Sequence, residues 1–343
     1  MNTIVGLLII GFGSMLQSSS YVPIKKVKTW SWESFWLIQG IFAWLVFPYF
    51  GSLLAIPDGY TLVQLYSMMD GSLWKVIAYG FLWGIGGLGF GLSMRYLGVS
   101  LGQSIGFGTC SAFGTLIPAL MVGKDLLSGD GLGLLIGVSV SIAGIIVIGY
   151  AGSLRSKNLT HEQKIAAVKD FALSKGLLVA LLAGVMSACF SLGIEEGDAF
   201  RLKLLTLGAN PYFAGLPTIL LITFGGFLSN LMYCLFQNYK NKSFSDYYKL
   251  SKPVLFNNLI FCILAGGLWY SQFIPFVMGK SFFEENSLMM AFSWSILLSL
   301  NIVFSNVWGI ILKEWVGTNA KTIAILITGM IILIISLIIP NLI

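Results

Sequence analysis

Long apolar runs recur along the whole chain of 343 residues and constrain its fold more than any other feature. A run of about 18 or more apolar residues can cross the hydrocarbon core of a bilayer as a helix. Ten such runs can be recognised, at residues 3–22, 34–56, 74–94, 98–122, 131–151, 176–194, 212–236, 254–279, 288–312 and 321–342. With 57% hydrophobic and 10% charged residues, the composition also indicates a polytopic membrane protein. The sequence therefore predicts an all-α membrane protein with ten transmembrane helices.

The remaining composition argues against several other classes. The first apolar run lacks a basic leading segment and continues as a full-length span, so we expect no cleavable signal peptide. The net charge of +6 does not predict a nucleic-acid partner, because the basic residues cluster between spans. The four cysteines have neither a metal-ligand spacing nor a loop position, and we expect small packing residues at Cys110, Cys189, Cys234 and Cys262.

Lysine and arginine are distributed unevenly between the loops. Loops that follow odd-numbered spans hold 15 of the 20 basic residues, and loops that follow even-numbered spans hold 5. Acidic residues crowd the even-numbered loops, at Glu195, Glu196, Asp198, Glu284 and Glu285. The excess of positive charge places the odd-numbered loops in the cytoplasm. With ten spans, both termini are then predicted to be periplasmic, in a bacterial inner membrane.

A basic segment divides the ten runs into two sets of five. We predict a first five-helix repeat at 1–152, a cytoplasmic linker at 153–175 and a second five-helix repeat at 176–343. An odd number of spans in each half gives the halves opposite orientations, which is the layout of an inverted repeat. Short glycine-leucine triplets recur in corresponding spans of the two halves, at 6–8 with 176–178 and at 86–88 with 266–268.

The glycine-rich segment at 84–91 contains a G-x-x-x-G spacing. This spacing is typical of membrane helices that pack closely against one another. We expect close packing here rather than direct contact with a ligand.

The sequence contains no pattern of a soluble enzyme. Its one histidine, His161, lies in the basic linker, which excludes a histidine-based triad or metal site inside the membrane. The triplet Gly279-Lys280-Ser281 is similar to the end of a phosphate-binding loop, but the glycine required five residues earlier is Ile274. We expect no enzyme activity and no cofactor, so that uphill transport would draw on an ion gradient, with the proton as the coupling ion.

The stretch from Lys25 to Gln39 is basic at its start, rich in tryptophan in its middle and apolar beyond. Glu33 falls in the first turn of the predicted second span. A carboxylate at the mouth of an apolar span is energetically costly, and Glu33 is therefore the predicted proton-coupling residue. The alternative is a structural role, either in an ion pair with Lys25, Lys26 or Arg95 or as a favourable charge at a helix N-terminus.

Aromatic and amide side chains on two spans predict a site for a neutral polyol. Trp32, Trp36 and Gln39 share one helix face through their spacing of i, i+4 and i+7. Rings can stack on the C–H faces of a sugar while amides bind its hydroxyl groups. The predicted sugar-binding residues are Trp36, Gln39, Trp269, Tyr270 and Gln272, followed by Gln17, Tyr21, Gln103, Trp294 and Asn301, and Asn230 and Asn258 are further polar residues inside spans. For any single member, an interfacial position or an interhelical hydrogen bond is the alternative.

Several sequence motifs occur in an order that is characteristic of one family. The pattern Y-x-P-x-K-K-V-K-x-W-S-W-E at Tyr21 to Glu33 is long and specific. Shorter motifs are L-x-W-G-I-G, M-R-Y-L-G (Met94 to Gly98), G-T-L (Gly114 to Leu116), W-Y-x-Q-F (Trp269 to Phe273), S-W (Ser293, Trp294) and L-K-E-W (Leu312 to Trp315). In these motifs and in its length, the chain resembles the L-rhamnose–proton symporters of the drug/metabolite transporter superfamily.

The resemblance implies ten membrane helices in two inverted halves and the import of L-rhamnose, or of L-lyxose or L-mannose, with protons by alternating access. The chain departs from the family pattern at two positions. Gly87 stands where an asparagine is expected, and Phe90 stands where a tyrosine is expected. If those polar groups contact the sugar in relatives, specificity differs here. The resemblance assigns no residue roles.

Two other functions are compatible with a polytopic membrane protein. A nucleotide-sugar or metabolite exchanger of the same fold is the alternative, but it would need a basic residue at the midplane, and each lysine and arginine falls near a predicted span end. A membrane sensor or scaffold would need a soluble output domain. The expected partners are a small-molecule sugar and the lipid bilayer, without nucleic acid, and the expected oligomeric state is a monomer.

Overall fold

The structure is a computed structural model that describes residues 3–97, 99–121, 123–158, 173–285, 287–313, 315 and 317–339. Within these ranges the secondary structure is helical, without a strand. The first part of the chain forms α1 (Thr3–Ser19), α2 (Tyr21–Ile24), α3 (Trp32–Ile41), a π-helical segment (Phe42–Val46), α4 (Phe47–Leu53), α5 (Leu62–Tyr66), α6 (Ser72–Leu97), α7 (Val99–Met121) and α8 (Gly129–Asn158). The second part forms α9 (Leu173–Glu196), α10 (Asp198–Thr206), α11 (Leu216–Asn241), a 3₁₀ segment (Ser243–Tyr247), α12 (Lys252–Ser271), α13 (Phe273–Lys280), α14 (Leu288–Ile311) and α15 (Ala320–Ser336).

Polar caps begin several helices where the apolar runs begin. The Ser287 side chain accepts a hydrogen bond from the backbone N–H of Met290 at the start of α14. The Asn319 side chain accepts one from Thr322 at the start of α15. Such caps satisfy backbone N–H groups that have no partner inside the helix. The starts of these helices are thus encoded locally, whereas their length is set by the apolar runs.

Eight helical stretches of the described chain are long and apolar enough to cross a membrane. They are Thr3–Ile24, Trp32–Leu53, Ser72–Phe90, Gly131–Arg155, Ser174–Thr206, Leu216–Asn241, Lys252–Lys280 and Leu288–Ile311. Two shorter apolar helices, Ile105–Met121 and Ala320–Ser336, lie where the fourth and tenth spans are predicted. The prediction of an all-helical protein with multiple spans is therefore confirmed at the level of eight spans.

The chain divides into two compact units. Unit I comprises Asn2–Gly84 and Gly193–Phe282, and unit II comprises Ile85–Leu192 and Phe283–Ile343. Each unit draws on both the N-terminal and the C-terminal part of the sequence. The division into repeats at 1–152 and 176–343 stays a prediction, and most of the predicted linker at 153–175 lies outside the described residues.

In unit I, α12 approaches the second span closely. A Cβ atom built on Gly266 would lie 2.9 Å from the backbone nitrogen of Ala43 and 3.0 Å from the carbonyl oxygen of Gln39. Near the start of the same pair of helices, the backbone N–H of Lys28 donates to Asn258 Oδ1 over 2.9 Å. These contacts advance in the same direction along both helices, so the second span and α12 run parallel. Glycine is needed at position 266 because a side chain would push the two backbones apart.

In unit II, α8 and α15 pack along their length. Ser141 Oγ donates to Ser336 Oγ over 2.7 Å, and a Cβ atom on Gly144 would lie 3.0 Å from the carbonyl oxygen of Gly329. Ile148 approaches Gly329 from the same side. Later residues of α8 therefore contact earlier residues of α15, which means that the two helices are antiparallel.

Candidate functional site

Four tryptophan rings from four helical segments meet in unit I. The centroid of Trp44 lies 5.6 Å from Trp36, 6.2 Å from Trp83 and 6.2 Å from Trp269. Trp83 and Trp269 are themselves 5.8 Å apart. These four residues, which we call the indole cluster, combine positions from α3, the π-helical segment, α6 and α12. The predicted members Trp36 and Trp269 are thus brought together from the two halves of the sequence.

Trp44 lies at the centre of the indole cluster, in a segment where the helix changes from α-helical to π-helical. Residues Phe42–Val46 are π-helical, and single π turns in α-helices are frequent at functional sites. A Cβ atom on Gly40 would lie 2.5 Å from the ring of Trp44, so the absence of a side chain at this position leaves room for the indole. The Trp44 side chain is 4% exposed.

Asn230 fixes the orientation of Trp36. Trp36 Nε1 donates to Asn230 Oδ1 over 2.8 Å. Asn230 Nδ2 in turn donates to the carbonyl oxygens of Gly226 (2.8 Å) and Gly84 (3.3 Å). The oxygen and the nitrogen of this buried amide therefore both form hydrogen bonds, and Asn230 links α11 to α3 and α6.

Three buried polar atoms of unit I have no hydrogen-bond partner among the described residues. They are Gln39 Oε1, Trp44 Nε1 and Tyr270 Oη. Gln39 lies where α3 meets Gly266 of α12, and Tyr270 of α12 packs against Gly51 of α4. A buried polar atom without a partner is rare in native proteins and calls for an explanation, and a ligand is one such explanation.

Gln272 lies at a helix break, and Gln17 lies on the neighbouring helix α1. Gln272 lies at the break between α12 and α13, and its Nε2 donates to the carbonyl oxygen of Trp269 over 3.0 Å. A Cβ atom on Gly13 would lie 2.9 Å from the backbone oxygen of Gln272, so α1 passes close to this break. Gln17 follows one turn later on α1 and is buried. The side chains of Tyr21 and Gln103 lie outside the described residues.

Trp294 and Asn301 belong to unit II. Both side chains are buried on α14. Trp294 stacks on Phe190 with ring centroids 5.3 Å apart, and it packs against Gly114. Close by, the hydroxyl groups of Ser111 and Ser295 are 2.6 Å apart. Unit II therefore has buried aromatic and hydroxyl groups of its own.

Glu33 lies in the first turn of α3 and is 5% exposed. Its Oε1 accepts hydrogen bonds from Ser243 Oγ (2.7 Å) and Asn241 Nδ2 (2.9 Å). Both donors follow or end α11, where Lys242 adopts a left-handed backbone (φ 55°) and turns the chain back towards α3. The carboxylate therefore joins the start of the second span to the end of α11.

Further polar contacts extend this junction. Ser34 Oγ donates to Asn238 Oδ1 over 3.0 Å, and Asn238 Nδ2 donates to the hydroxyl of Tyr247 over 3.0 Å. Ser31 donates to Asp246 Oδ2 through its backbone N–H (2.8 Å) and its hydroxyl (2.7 Å). We call this set the Glu33 network, comprising Ser31, Glu33, Ser34, Asn238, Asn241, Ser243, Asp246 and Tyr247.

Asp246 is the second acid of the Glu33 network and lies outside the apolar spans. Partial burial acts to raise the pKa of its carboxyl, but the hydrogen bonds from Ser31 outweigh burial, and the pKa lies below the usual value. Trp30 Nε1 also donates to the carbonyl oxygen of Asp246 over 2.9 Å. The loop that precedes α3 is thus held to the loop that follows α11.

Sequence reasoning did not select Trp44, Trp83 or the partners of Glu33. A signal for Trp44 was present, because Trp36, Gly40 and Trp44 follow one another at intervals of four residues, with a glycine between two indoles. The π turn that brings Trp44 into the cluster has no comparable signal. The partners of Glu33 lie about 200 residues away in the chain, and the sequence contains no pattern that pairs them.

Several apolar spans and a buried cluster of indoles and amides are features of a multi-pass membrane protein. The model of the family described as L-rhamnose-proton symport protein (RhaT) matches residues 1–342. The chain is 33% identical over 338 residues to the L-rhamnose-proton symporter of Yersinia pestis (strain Pestoides F), covering 97% of this chain and 96% of the relative. The same values apply to the symporters of Yersinia pseudotuberculosis serotype O:1b (strain IP 31758) and serotype O:3 (strain YPIII).

The chain therefore belongs to the L-rhamnose-proton symport protein (RhaT) family. Its relatives are named as symporters, so it is a transporter and not an enzyme. Family membership and the apolar helices together make it a multi-pass protein of the inner membrane.

Proposed function

We propose that this protein imports L-rhamnose together with protons. The observation that carries the proposal is the family match over residues 1–342, joined to 33% identity with named L-rhamnose-proton symporters over almost the whole of both chains. The indole cluster supports the substrate class, because its rings offer C–H stacking surface and its neighbours offer hydrogen-bonding groups for hydroxyls. The direct test is uptake of labelled L-rhamnose in cells that lack their own rhamnose transporter. Uptake that requires an inward proton gradient is expected, and gradient-independent or absent uptake would refute the proposal.

For the architecture, we propose ten spans arranged as two inverted repeats of the drug/metabolite transporter superfamily, with both termini periplasmic. The antiparallel packing of α8 and α15, the fifth and tenth predicted spans, supports opposite orientations of the halves. The parallel packing of α12 with the second span supports the same alternation. Alternating access then exposes one binding site to each side of the membrane in turn.

For the sugar site, we propose that Trp36 and Trp269 provide stacking surface and that Gln39 and Tyr270 bind hydroxyl groups. Gln39 Oε1 and Tyr270 Oη are buried and lack partners among the described residues, so a sugar hydroxyl would complete their bonding. Gln272 is proposed as a support for the helix break, because its amide donates to Trp269. Gln17, Tyr21, Gln103, Trp294 and Asn301 remain proposed as further contacts.

Gln39→Ala and Gln272→Ala provide a matched comparison. Losing one well-made hydrogen bond to the sugar weakens binding by about 1–3 kcal/mol, or roughly fivefold to 150-fold in Kd. We expect this loss for Gln39→Ala, measured by calorimetric titration of purified protein with L-rhamnose. Unchanged affinity in Gln39→Ala would remove Gln39 from the site, whereas Gln272→Ala is expected to reduce thermal stability more than affinity.

For proton coupling, we propose that Glu33 carries the proton. In its ionised form it accepts hydrogen bonds from Asn241 and Ser243, which tie the start of α3 to the end of α11. Protonation replaces charge-assisted hydrogen bonds by weaker neutral ones, so this junction loosens when the proton binds. Because the loops concerned are predicted to be cytoplasmic, proton binding would favour opening towards the cytoplasm. Sugar binding must favour the same state, since coupling between two ligands is reciprocal.

Glu33→Gln separates this role from a structural one. Glutamine keeps the size and the accepting oxygen but cannot release a proton. We expect sugar binding and exchange to persist while accumulation driven by a pH gradient is lost, measured in vesicles with and without the gradient. Accumulation against the sugar gradient by Glu33→Gln would show that Glu33 is a structural carboxylate.

A further inference from the structure

The Trp44 indole is deeply packed, yet its polar group has no partner among the described residues. It is 4% exposed, it occupies the centre of the indole cluster, and its Nε1–H group has no hydrogen-bond acceptor among the described residues. The rings of Trp83 and Trp269 stand nearly perpendicular to it, at 87° and 86°. Contacts of an N–H group with an aromatic face are weaker than hydrogen bonds to oxygen, so the donor remains available to a better acceptor.

Two other tryptophans of unit I, Trp36 in the indole cluster and Trp30 in the loop before α3, have partners for their indole N–H groups. Trp36 Nε1 donates to Asn230, and Trp30 Nε1 donates to the backbone of Asp246. Buried indole N–H groups in proteins usually find a partner. Leaving one unpaired costs free energy, which a ligand oxygen would recover. Local backbone structure reinforces the placement, because the π turn and the open position at Gly40 direct the ring into the cluster.

We propose that Trp44 is a sugar-binding residue whose Nε1–H donates a hydrogen bond to one hydroxyl group of the substrate. The assignment rests on the proposed function, since it names a further specificity residue for the same transport reaction. A neutral polyol fits this environment because its hydroxyl groups both donate and accept. Trp44 Nε1 supplies a donor and Gln39 Oε1 supplies an acceptor, while the surrounding indoles cover the C–H faces. A bound cation would gain nothing from an N–H donor.

The test compares Trp44→Phe with the wild type, using L-rhamnose and its 2-deoxy, 3-deoxy and 4-deoxy analogues as probes in calorimetric titration. Phenylalanine retains an aromatic ring and removes the donor. Binding of L-rhamnose should weaken by roughly tenfold. One deoxy analogue should bind the variant and the wild type equally, because it lacks the hydroxyl that accepts the bond.

Trp30→Phe is the matched control. It removes an indole N–H whose partner is the backbone of Asp246, so it should lower thermal stability and leave sugar affinity unchanged. Trp44→Phe should lower sugar affinity, because it removes the proposed donor to the sugar and breaks no hydrogen bond within the described residues. If Trp44→Phe does not fold, Gly40→Ala displaces the same ring while keeping its N–H, and the same loss of discrimination among the analogues is expected.

Affinity for L-rhamnose within twofold of the wild type in Trp44→Phe would overturn the assignment and leave the proposed function intact. An equal loss for L-rhamnose and all three analogues would also overturn it, because the ring would then act only through packing. Failure of the wild type to bind L-rhamnose would refute the proposed substrate, and the assignment of Trp44 with it.

Discussion

The hydrogen bond between Trp36 and Asn230 is a measurable link between the second span and α11. The donor Nε1 and the acceptor Oδ1 are 2.8 Å apart, and Asn230 is 3% exposed. Trp36→Phe retains an aromatic surface and removes the donor, which leaves Oδ1 of Asn230 without this partner. Because Asn230 also donates to Gly84 and Gly226, the amide cannot easily rotate to find a new one.

The expected magnitude follows from the environment of the bond. An acceptor left unsatisfied by removal of its donor costs about 1–3 kcal/mol in a buried site. Interhelical hydrogen bonds between membrane helices have been found weaker, about 0.6 kcal/mol on average and up to about 1.7. The loss of ring area from indole to phenyl adds a smaller packing term. We expect Trp36→Phe to reduce the free energy of unfolding by about 1–2 kcal/mol.

A double-mutant cycle in detergent isolates the bond from these other effects. Trp36→Phe, Asn230→Ala and the double variant are compared by denaturant or thermal unfolding. The coupling energy should be about 0.6–1.7 kcal/mol, because the second substitution no longer breaks a bond that the first has removed. Additivity within about 0.3 kcal/mol would refute the reasoning, since it would show that the two groups do not interact in the folded protein.

Three further predictions concern packing, pH and orientation. Gly266→Leu should destabilise the protein by about 2 kcal/mol or more, because its Cβ would lie 2.9 Å from the backbone nitrogen of Ala43 in the π-helical segment. Gly87→Leu should be tolerated, because no atom of a neighbouring helix lies within 4 Å of its Cβ. Equal thermal shifts in the two variants would contradict this prediction. The pKa of Asp246 lies below its usual value in the folded protein, so its contribution to stability is present above the unfolded pKa of about 4 and is lost as pH falls through the lower folded value. Asp246→Asn should abolish this part of the acid sensitivity. If the melting temperature of Asp246→Asn depends on pH as in the wild type, this role of Asp246 is refuted. Ser245→Cys should resist membrane-impermeant thiol reagents in intact cells, because its loop is predicted to be cytoplasmic, and ready labelling from outside would reverse the topology.

The positions of the spans could be predicted from sequence because each depends on a local run of apolar residues. The second predicted span, 34–56, agrees with the helical stretch Trp32–Leu53. Close packing in the glycine-rich segment at 84–91 is also found, since Cβ atoms on Gly84 and Gly86 would collide with α11 and α9 respectively. Helix breaks inside the spans were not predicted. The π turn at Phe42–Val46 and the interruption at Gln272 change the direction of side chains without changing the apolar pattern.

The site was only partly predictable, because the sequence identifies polar residues but not their partners. Asn258 was a candidate for sugar contact, yet its amide accepts from the backbone nitrogen of Lys28 and donates to the backbone oxygen of the same residue. It holds the loop before α3. Glu33 was correctly placed in the first turn of a helix, but its uncharged partners could be found only in the structure.

The buried polar groups of unit I therefore fall into two sets, those whose hydrogen bonds are completed by the protein and those that keep an atom available to a ligand. Asn230 and Asn258 have both ends of their amides engaged by the protein, so a sugar could bind them only by displacing an existing bond. Gln39, Trp44 and Tyr270 each retain a polar atom without a partner among the described residues, so a sugar bond there replaces nothing. A transporter needs binding groups whose bonding is completed by the substrate, because only those groups favour the loaded state over the empty one. Asn230 and Asn258, whose hydrogen bonds are completed by the protein, would instead hold their helices and loops in place while the substrate enters and leaves.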